Sequence, residues 1–317
     1  MNRQLKIIIK LALYFSPKCI KERLHNIQEK KEMKEGLERA KRTKVNKEEL
    51  LSLLDNLELN SDVMLHTSII NVGKIEGGAK FIANTIFERV VGSNHTLIVS
   101  ALPYRGAFKE YLKDKPVFDV RTAPIAMGSV NERLGGLPEA HRSIHPTHSV
   151  IALGKKAEDY VCEHHLDSTP FGMHSPYFKL LENNAKILML GATLNNLTYI
   201  HAIEDLVGDV HPVKCYGKEK YQVDCIDRNG HTLKVSTTYH NPIKGIIRDL
   251  SPLHDDLLKE GVMVTYPFGE AEIMLIDVKK FTCFYLNQLL KGRSIYGKHH
   301  VSSELKKRIE YLLDYYF

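Results

Sequence analysis

The sequence predicts an α/β fold, and two observations indicate it. From about residue 48, short apolar strands alternate with helical patterns, and strands are predicted at 62–68, 95–102, 147–154 and 186–192. After Val210 the pattern becomes more antiparallel, and Asn229-Gly230 separates two alternating runs, which predicts a β-hairpin. Gly77 and Gly78 open a predicted helix that carries an apolar face, formed by Phe81, Ile82, Ile86, Phe87 and Val90.

The positive charge of the chain lies at its N-terminus. Residues 1–50 contain 14 Lys+Arg and 7 Asp+Glu. The whole chain has 44 basic and 38 acidic residues, so the remaining part carries 30 basic and 31 acidic residues and is nearly neutral. A basic arm on a nearly neutral body indicates an interaction segment, and anionic lipid is as good a partner for it as nucleic acid. We therefore divide the 317 residues into a basic extension, 1–47, and one large domain, 48–317.

The first 17 residues favour lipid or protein over nucleic acid. Arg3, Lys6 and Lys10 form one helical stripe, and Pro17 ends the pattern. The opposite face is apolar, with Leu5, Ile8, Ile9, Leu11, Ala12, Leu13 and Phe15. This run is too short to span a bilayer and resembles no signal peptide, so we expect a cytoplasmic protein. The helix either rests on the inner face of the membrane or packs on its own domain or a partner subunit, as in a homodimer. Residues 20–45 follow as a solvated helix or linker.

The five cysteines indicate a reducing compartment. They form no C-x-x-C pair, which argues against a zinc ribbon or a disulfide framework. We expect most of them to be buried as small apolar side chains.

A possible anion site follows the first strand of the domain. Thr67 and Ser68 end that strand, and the pair Gly77 and Gly78 begins the next helix. Unpaired N–H groups at a helix N-terminus attract phosphate. The pattern is neither a P-loop nor G-x-G-x-x-G, and a glycine-rich helix start also serves as a packing device.

A second candidate is a loop rich in histidine that leads into a buried strand. It contains Arg142, Ser143, His145, Pro146, His148 and Ser149. A metal could draw on His145 and His148, together with His141, His164, His165 or His174. No H-E-x-x-H frame is present and Pro146 breaks helical alignment, so we expect no metal.

The third candidate is the pair His201 and Glu204 in "LTYIHAIEDLVGD". Residues three apart share a helix face, so Glu204 can hold one ring nitrogen of His201 and leave the other free as a general base. An ordinary polar pair on a helix surface is the alternative. No G-x-S-x-G motif is present, so an acyl-enzyme has no obvious nucleophile.

In order along the chain, these segments resemble the aminoglycoside 3-N-acetyltransferase family. The resemblance covers about residues 50 to 280 and rests on these stretches: "LHTSIINVGKIEGG", "FDVRTAPIAMGSVNERL", "HRSIHPTHSVIALGKKAEDY", "FGMHSPYFKLLENNAKILMLGATLNNLTYIHAIED" and "YPFGEAEIMLIDV". It implies a three-layer α/β/α fold with a mixed sheet, and acetyl-coenzyme A as donor to an amine in a ternary complex.

The resemblance also implies roles for individual residues. His201 falls on the family's catalytic histidine and Glu204 on its partner carboxylate. Residues placed at coenzyme A are Thr67, Ser68, Ile69, Gly77, Gly78, Met127, Gly128, His148 and Ser149. A hydroxyl or backbone N–H near Ser149 or Gly128 would stabilise the oxyanion.

Several acidic and basic residues are candidates for binding the acceptor. Candidate acceptor-binding residues are Asp119, Arg142, Asp205 and Glu270. We expect an amino sugar as acceptor, either aminoglycoside-like or part of a surface polysaccharide or its lipid- or nucleotide-linked precursor. The basic arm suits the second kind, and the nearly neutral body lacks the marked acidic cleft expected for a polycationic drug. Transfer to a sugar hydroxyl, a non-catalytic protein of polysaccharide assembly and a metal-dependent hydrolase remain alternatives.

Overall fold

The computed structural model describes residues 3–106 and 108–317, apart from the side chains of Arg3, Gln4, Lys6, Lys18, Lys21, Glu22 and His25. The helices are α1 (Arg3–Tyr14), α2 (Lys18–Arg42), α3 (Lys47–Asn56), α4 (Gly78–Val90), α5 (Phe108–Lys113), α6 (Ser129–Gly135), α7 (Ala157–Val161), α8 (Pro176–Glu182), α9 (Ile200–Val207), α10 (Pro242–Ile247), α11 (His254–Lys259), α12 (Val278–Leu290) and α13 (Ser303–Tyr316). The strands are β1 (Lys44–Val45), β2 (Val63–Thr67), β3 (Lys74–Ile75), β4 (Thr96–Ser100), β5 (Phe118–Asp119), β6 (His141–Arg142), β7 (Val150–Gly154), β8 (Lys186–Leu190), β9 (Tyr216–Ile226), β10 (Thr232–His240), β11 (Met263–Phe268), β12 (Ala271–Asp277), β13 (Arg293–Ser294) and β14 (Gly297–Lys298).

A seven-stranded mixed sheet forms the centre of the fold, in the order β11-β12-β8-β2-β4-β7-β6. β8, β2 and β4 run parallel to one another. β12 pairs antiparallel with β8, and β7 pairs antiparallel with β4. The three parallel strands are apolar runs because helices cover both faces of the sheet. One face packs on α8, α9 and α12, and the other packs on α3 and α4. The predicted α/β/α layering is therefore confirmed.

The predicted hairpin is β9–β10, which joins β5 in a separate three-stranded sheet. Its turn contains Gly230 with φ of 88°, a backbone conformation that glycine adopts without strain. A register irregularity lies between Thr238 and His240 at the end of β10. This small sheet has its own apolar cluster, and its last residue, His240, reaches the site described below.

The N-terminal segment forms two helices separated by Pro17, as predicted. α1 packs against α10 but leaves Leu5, Ile8 and Ile9 exposed. Of the predicted basic stripe, Lys10 is exposed, whereas the side chains of Arg3 and Lys6 lie outside the described residues. None of the described helices is long and apolar enough to cross a bilayer.

The C-terminal part of α2 is attached to the domain. Gly36 lies so close to Ile70 that an added Cβ would be 2.1 Å from that side chain. Arg39 donates to the carbonyl of Ile70 (3.1 Å), and Arg42 forms an ion pair with Glu270. α2 thus contacts the loop that follows β2. The boundary at residue 47 remains a prediction.

The cysteines are all free thiols, but the expectation that most are buried was wrong. Cys215 and Cys225 are buried, Cys283 is half-buried, and Cys19 and Cys162 are exposed.

The parallel strands bring three loops to one edge of the sheet. Thr67, Ser100 and Leu190 end β2, β4 and β8 there. Ligands of open α/β sheets bind at the carboxyl ends of the strands, where such loops meet. The loop after β8 closes with a capping box between Thr193 and Asn196 and then leads directly into α9.

Candidate functional site

His201 and Glu204 form a buried pair on α9. His201 Nδ1 lies 2.8 Å from Glu204 Oε2, and the Tyr296 hydroxyl donates to Glu204 Oε1 over 2.7 Å. His201 is 7% exposed and Glu204 is 3% exposed, so this is not a helix-surface pair. The geometry expected of a histidine base with a carboxylate partner is therefore present.

Electrostatics assign the tautomer of His201. Burial lowers the pKa of His201, while Glu204 opposes that shift and Arg248 adds to it. For Glu204, burial acts to raise the pKa, but His201, His240 and His211 outweigh it and hold the pKa below its ordinary value. An ionised Glu204 accepts from Nδ1–H, so Nε2 of His201 carries the free lone pair.

Arg248 approaches that free nitrogen. Its Nη1 donates to His201 Nε2 over 2.5 Å, and its Nη2 donates to the Asn195 carbonyl over 2.8 Å. Sequence reasoning missed Arg248, which is one arginine among many and lies 47 residues beyond His201.

The cavity in front of Nε2 has a volume of about 240 Å³. We call it the histidine cavity; its lining includes Met127, His148, His201, His240, Arg248 and Tyr296. His240 Nε2 lies 3.9 Å from Glu204 Oε2, and the His240 ring centroid is 3.9 Å from that of His201. His240 and Tyr296 were also missed, because no local pattern ties β10 or the segment before β14 to α9.

The structure brings only some predicted coenzyme residues together. Met127 and His148 line the histidine cavity, and Gly128 precedes α6 beside them. Ser149 is fully buried, and its hydroxyl donates to the Ala101 carbonyl over 2.6 Å.

The predicted loop after β2 lies beside a larger cavity of about 790 Å³, which we call the outer cavity. Ser68 Oγ accepts from Asn71, which lines that cavity and also donates to the Gly191 carbonyl. Thr67 and Ile69 flank Ser68 in the same loop. Gly77 and Gly78 begin α4 but line neither the histidine cavity nor the outer cavity.

Of the four predicted acceptor residues, only Asp205 lies next to the His201–Glu204 pair. It lines a third cavity of about 570 Å³ with Glu204, Asp167 and Asp209, which we call the acidic cavity. Burial raises the pKa of Asp205 to about 7, although Thr169 donates to its Oδ2 over 2.6 Å.

The other three lie apart from the histidine cavity. Asp119 pairs with Arg121, and Glu270 pairs with Arg42 at the rim of the outer cavity. Arg142 donates to the Ala101 and Pro124 carbonyls over 2.7 and 2.9 Å and stacks over Phe118. Its donors hold loops together, so the arrangement gives it a packing role.

The histidine loop assembles no metal site among the described residues. His164 contacts Ser143 Oγ and the Pro170 carbonyl at 2.9 Å each. His145 accepts at Nδ1 from the His148 backbone, and His148 Nδ1 contacts Thr147. The other candidates point elsewhere, since His141 pairs with Glu158 and His174 with Asp167; His165 adjoins the same short turn as His164.

Two groups of potential metal ligands do occur, and both include Glu204. One adds His201 and His240, and the other adds His211 and Cys215. Glu204 already accepts from His201 and Tyr296, so its oxygens serve the base in this structure.

Comparisons with known proteins show the family of the chain. The family described as Aminoglycoside 3-N-acetyltransferase matches residues 64–289. Aminoglycoside N(3)-acetyltransferase III of Acinetobacter baumannii is 33% identical over 249 residues, which covers 72% of this chain and 85% of that protein. Aminoglycoside N(3)-acetyltransferase IX of Micromonospora chalcea is 32% identical over 252 residues, with 71% and 85% coverage.

A solved structure has the same fold. The AAC-IIIb complex with CoASH superposes with a TM-score of 0.64 at 27% identity, and the match covers 78% of this chain and 97% of that one. The match confirms the predicted fold class, and the curated relatives confirm the predicted enzyme class, an acetyltransferase. The chain belongs to the aminoglycoside 3-N-acetyltransferase family.

Proposed function

We propose that this protein transfers an acetyl group from acetyl-coenzyme A to an amino group of an amino sugar, with His201 as general base. The observation that carries the proposal is the buried Glu204–His201 pair, whose Nε2 faces a cavity and accepts a hydrogen bond from Arg248. In the ternary complex, the acceptor nitrogen bonds to the thioester carbonyl carbon while its proton moves to Nε2. Collapse of the tetrahedral intermediate expels the coenzyme A thiolate, which takes the proton back from His201.

Coenzyme A fits the loops at the carboxyl edge of the sheet. We place the thioester end against Met127, Gly128 and His148, and the remainder along the Thr67–Ile69 loop toward the outer cavity. Two features support this placement: the outer cavity is large enough for part of a cofactor, and the loop after β8 walls both cavities, with Leu194 in one and Thr198 in the other. Gly77, Gly78 and Ser149 receive no support from their positions.

Arg39 adds a cation to this path. It lines the outer cavity and belongs to α2, which precedes the matched family region. The basic extension would then contribute directly to the binding of the anionic coenzyme.

The acidic cavity adjoins Glu204 but is distinct from the histidine cavity. Asp167, Asp205 and Asp209 line it together with Lys214 and Lys218, so its charge is mixed and does not by itself select an amine. Relatives named as aminoglycoside N(3)-acetyltransferases make aminoglycosides the first acceptors to test. An acceptor held at the histidine cavity would have to be much larger to reach Asp119, Arg142 or Glu270.

An amino sugar of a surface polysaccharide, or its lipid- or nucleotide-linked precursor, is the finer acceptor we propose. α1 packs against α10. The histidine cavity is lined in part by α10 and the residue that follows it, through Pro242, Gly245 and Arg248. The exposed Leu5, Ile8 and Ile9 would place this wall near a membrane surface. Peripheral contact at the inner face of the membrane follows from the same arrangement.

Thiol release from acetyl-coenzyme A tests the reaction. We expect release with amino sugars and little with the matching sugars that carry a hydroxyl at the amine position. Equal release with both would favour O-acylation, and none above background with any acceptor would favour the non-catalytic alternative.

Vesicle binding tests the role of α1. We expect binding to vesicles that contain anionic lipid, weakened by salt and lost on deletion of residues 1–17. Salt-independent binding would contradict the proposal, and a dimer that dissociates on the same deletion would assign α1 to subunit packing.

A further inference from the structure

Arg248 contacts the buried base without an acidic partner among the described residues. It donates to His201 Nε2 (2.5 Å) and to the Asn195 carbonyl (2.8 Å). Among the described residues, no Asp or Glu oxygen forms an ion pair with it, whereas Glu204 is shared by His201 and Tyr296. A guanidinium that is held without a counter-charge is available to an anion.

The position of Arg248 is fixed by the turn before α9. Asn195 Oδ1 accepts from the Leu250 backbone over 2.8 Å, and its Nδ2 lies 3.3 Å from Asp249 Oδ1. The Ser251 hydroxyl donates to the same Asp249 oxygen over 2.6 Å. Arg248 is therefore anchored beside the base through the backbone that carries it.

Proton transfer alone would be opposed by Arg248. When His201 takes a proton it becomes a cation beside a second cation, which costs electrostatic energy. That cost disappears if a negative charge forms between the two groups in the same step. Attack on a thioester forms such a charge on the carbonyl oxygen, within one bond of the carbon that the amine attacks.

We propose that Arg248 is a catalytic residue whose guanidinium stabilises the oxyanion of the tetrahedral intermediate. This inference rests on the proposed function. The charges of Glu204, protonated His201, the oxyanion and Arg248 then alternate in sign. Before substrates bind, the same guanidinium occupies the position of the acceptor nitrogen at Nε2.

The donors expected from the sequence fit this task less well. The Ser149 hydroxyl donates to the Ala101 carbonyl and accepts from Arg142, and the side chain is fully buried. Gly128 precedes α6 and could offer only a backbone N–H. Arg248 is the charged donor that directly contacts the base.

Kinetics of R248A and R248K, with guanidinium rescue, test the proposal. We expect R248A to lower kcat by about 10²–10³-fold with little change in the acceptor KM, as for the loss of an oxyanion donor. Guanidinium chloride, well below denaturing concentrations, should restore part of kcat in R248A. R248K should fall between R248A and wild type, because ammonium supplies charge without the fork.

Two controls separate this role from a structural one. R228A removes an exposed arginine of the β9–β10 turn and should match wild type, and guanidinium should not rescue H201A. A rise in KM with unchanged kcat would overturn the proposal in favour of acceptor binding, and so would an R248A deficit that guanidinium fails to rescue while R248K is fully active.

The outcome can be distinguished from failure of the proposed function. If wild type releases no thiol with any amino sugar, the acetyl transfer itself is wrong. If wild type is active and R248A, shown to be folded by its thermal transition, is equally active, only the role of Arg248 is wrong.

Discussion

Two groups of buried histidines lie near each other and behave differently. In the loop before β7 and the turn after α7, His145, His148 and His164 are buried and contact hydroxyls, backbone groups and one another. His145 and His164 stack with their ring centroids 4.5 Å apart. On α9, His201 is just as buried but has Glu204 at 2.8 Å.

The partner decides what each imidazole can do. Burial lowers the pKa of His148 and of His164 to about 3, so both remain neutral. His164 serves as a hydrogen-bonding element of the core, and His148 is a neutral part of the lining of the histidine cavity. Burial also lowers the pKa of His201, but Glu204 opposes that shift and would stabilise the imidazolium formed during catalysis. A carboxylate partner, and not the number of histidines in a motif, distinguishes a base from a packing residue.

Removing the base gives the largest expected effect. His201→Ala should lower kcat by about 10²–10⁴-fold because proton removal from the acceptor amine loses its general base. Thiol release measures kcat, and calorimetry should show coenzyme A binding largely intact. A variant with full activity would remove His201 from the mechanism.

Removing the carboxylate should weaken the base without deleting it. Glu204 raises the pKa of His201, so Glu204→Gln should lower it further and move the acidic limb of the kcat/KM profile to lower pH. We expect kcat to fall by about 10²-fold, because the imidazolium is no longer stabilised. A pH profile that moves upward would contradict this electrostatic account.

A substitution in the other group should affect stability instead of chemistry. His164→Leu removes the imidazole that bonds to Ser143 Oγ and to the Pro170 carbonyl, which we expect to cost about 1–3 kcal/mol of unfolding free energy. Denaturant unfolding measures this loss, and kcat of the folded protein should stay close to wild type. A large fall in kcat with unchanged stability would erase the distinction between the two groups.

Asp205 extends the comparison to carboxyl groups on one helix. Burial raises its pKa to about 7, from an ordinary value of 3.8, whereas the neighbouring Glu204 is held ionised. Between pH 3.8 and pH 7, Asp205 loses its proton in the unfolded chain but keeps it in the folded protein. The free energy of unfolding therefore falls as pH rises and levels off above pH 7.

Asp205→Asn should remove that pH dependence. Relative to wild type, the variant should gain stability of up to about 4 kcal/mol between pH 4 and pH 7, with no further gain above pH 7. Thermal unfolding across this range measures the difference. An equal difference in stability between variant and wild type at pH 4 and at pH 7 would show that Asp205 titrates normally.

The local parts of the fold were readable from the sequence. The predicted strands correspond to β2, β4, β7 and β8, and the predicted hairpin to β9–β10, because alternation, apolar runs and Asn229-Gly230 act over a few residues. The i, i+3 spacing likewise predicted the contact of His201 with Glu204, since helix geometry alone brings those side chains together.

Only the tertiary structure decided what surrounds that pair. Tyr296, His240 and Arg248 contact the pair from segments 39 to 95 residues beyond His201. Local sequence periodicity does not predict contacts over such separations. It also assigned Arg142 to packing and brought α2 against the loop after β2. Spacing within one helix is fixed by covalent geometry, whereas contacts between elements depend on how the whole sheet and its layers pack.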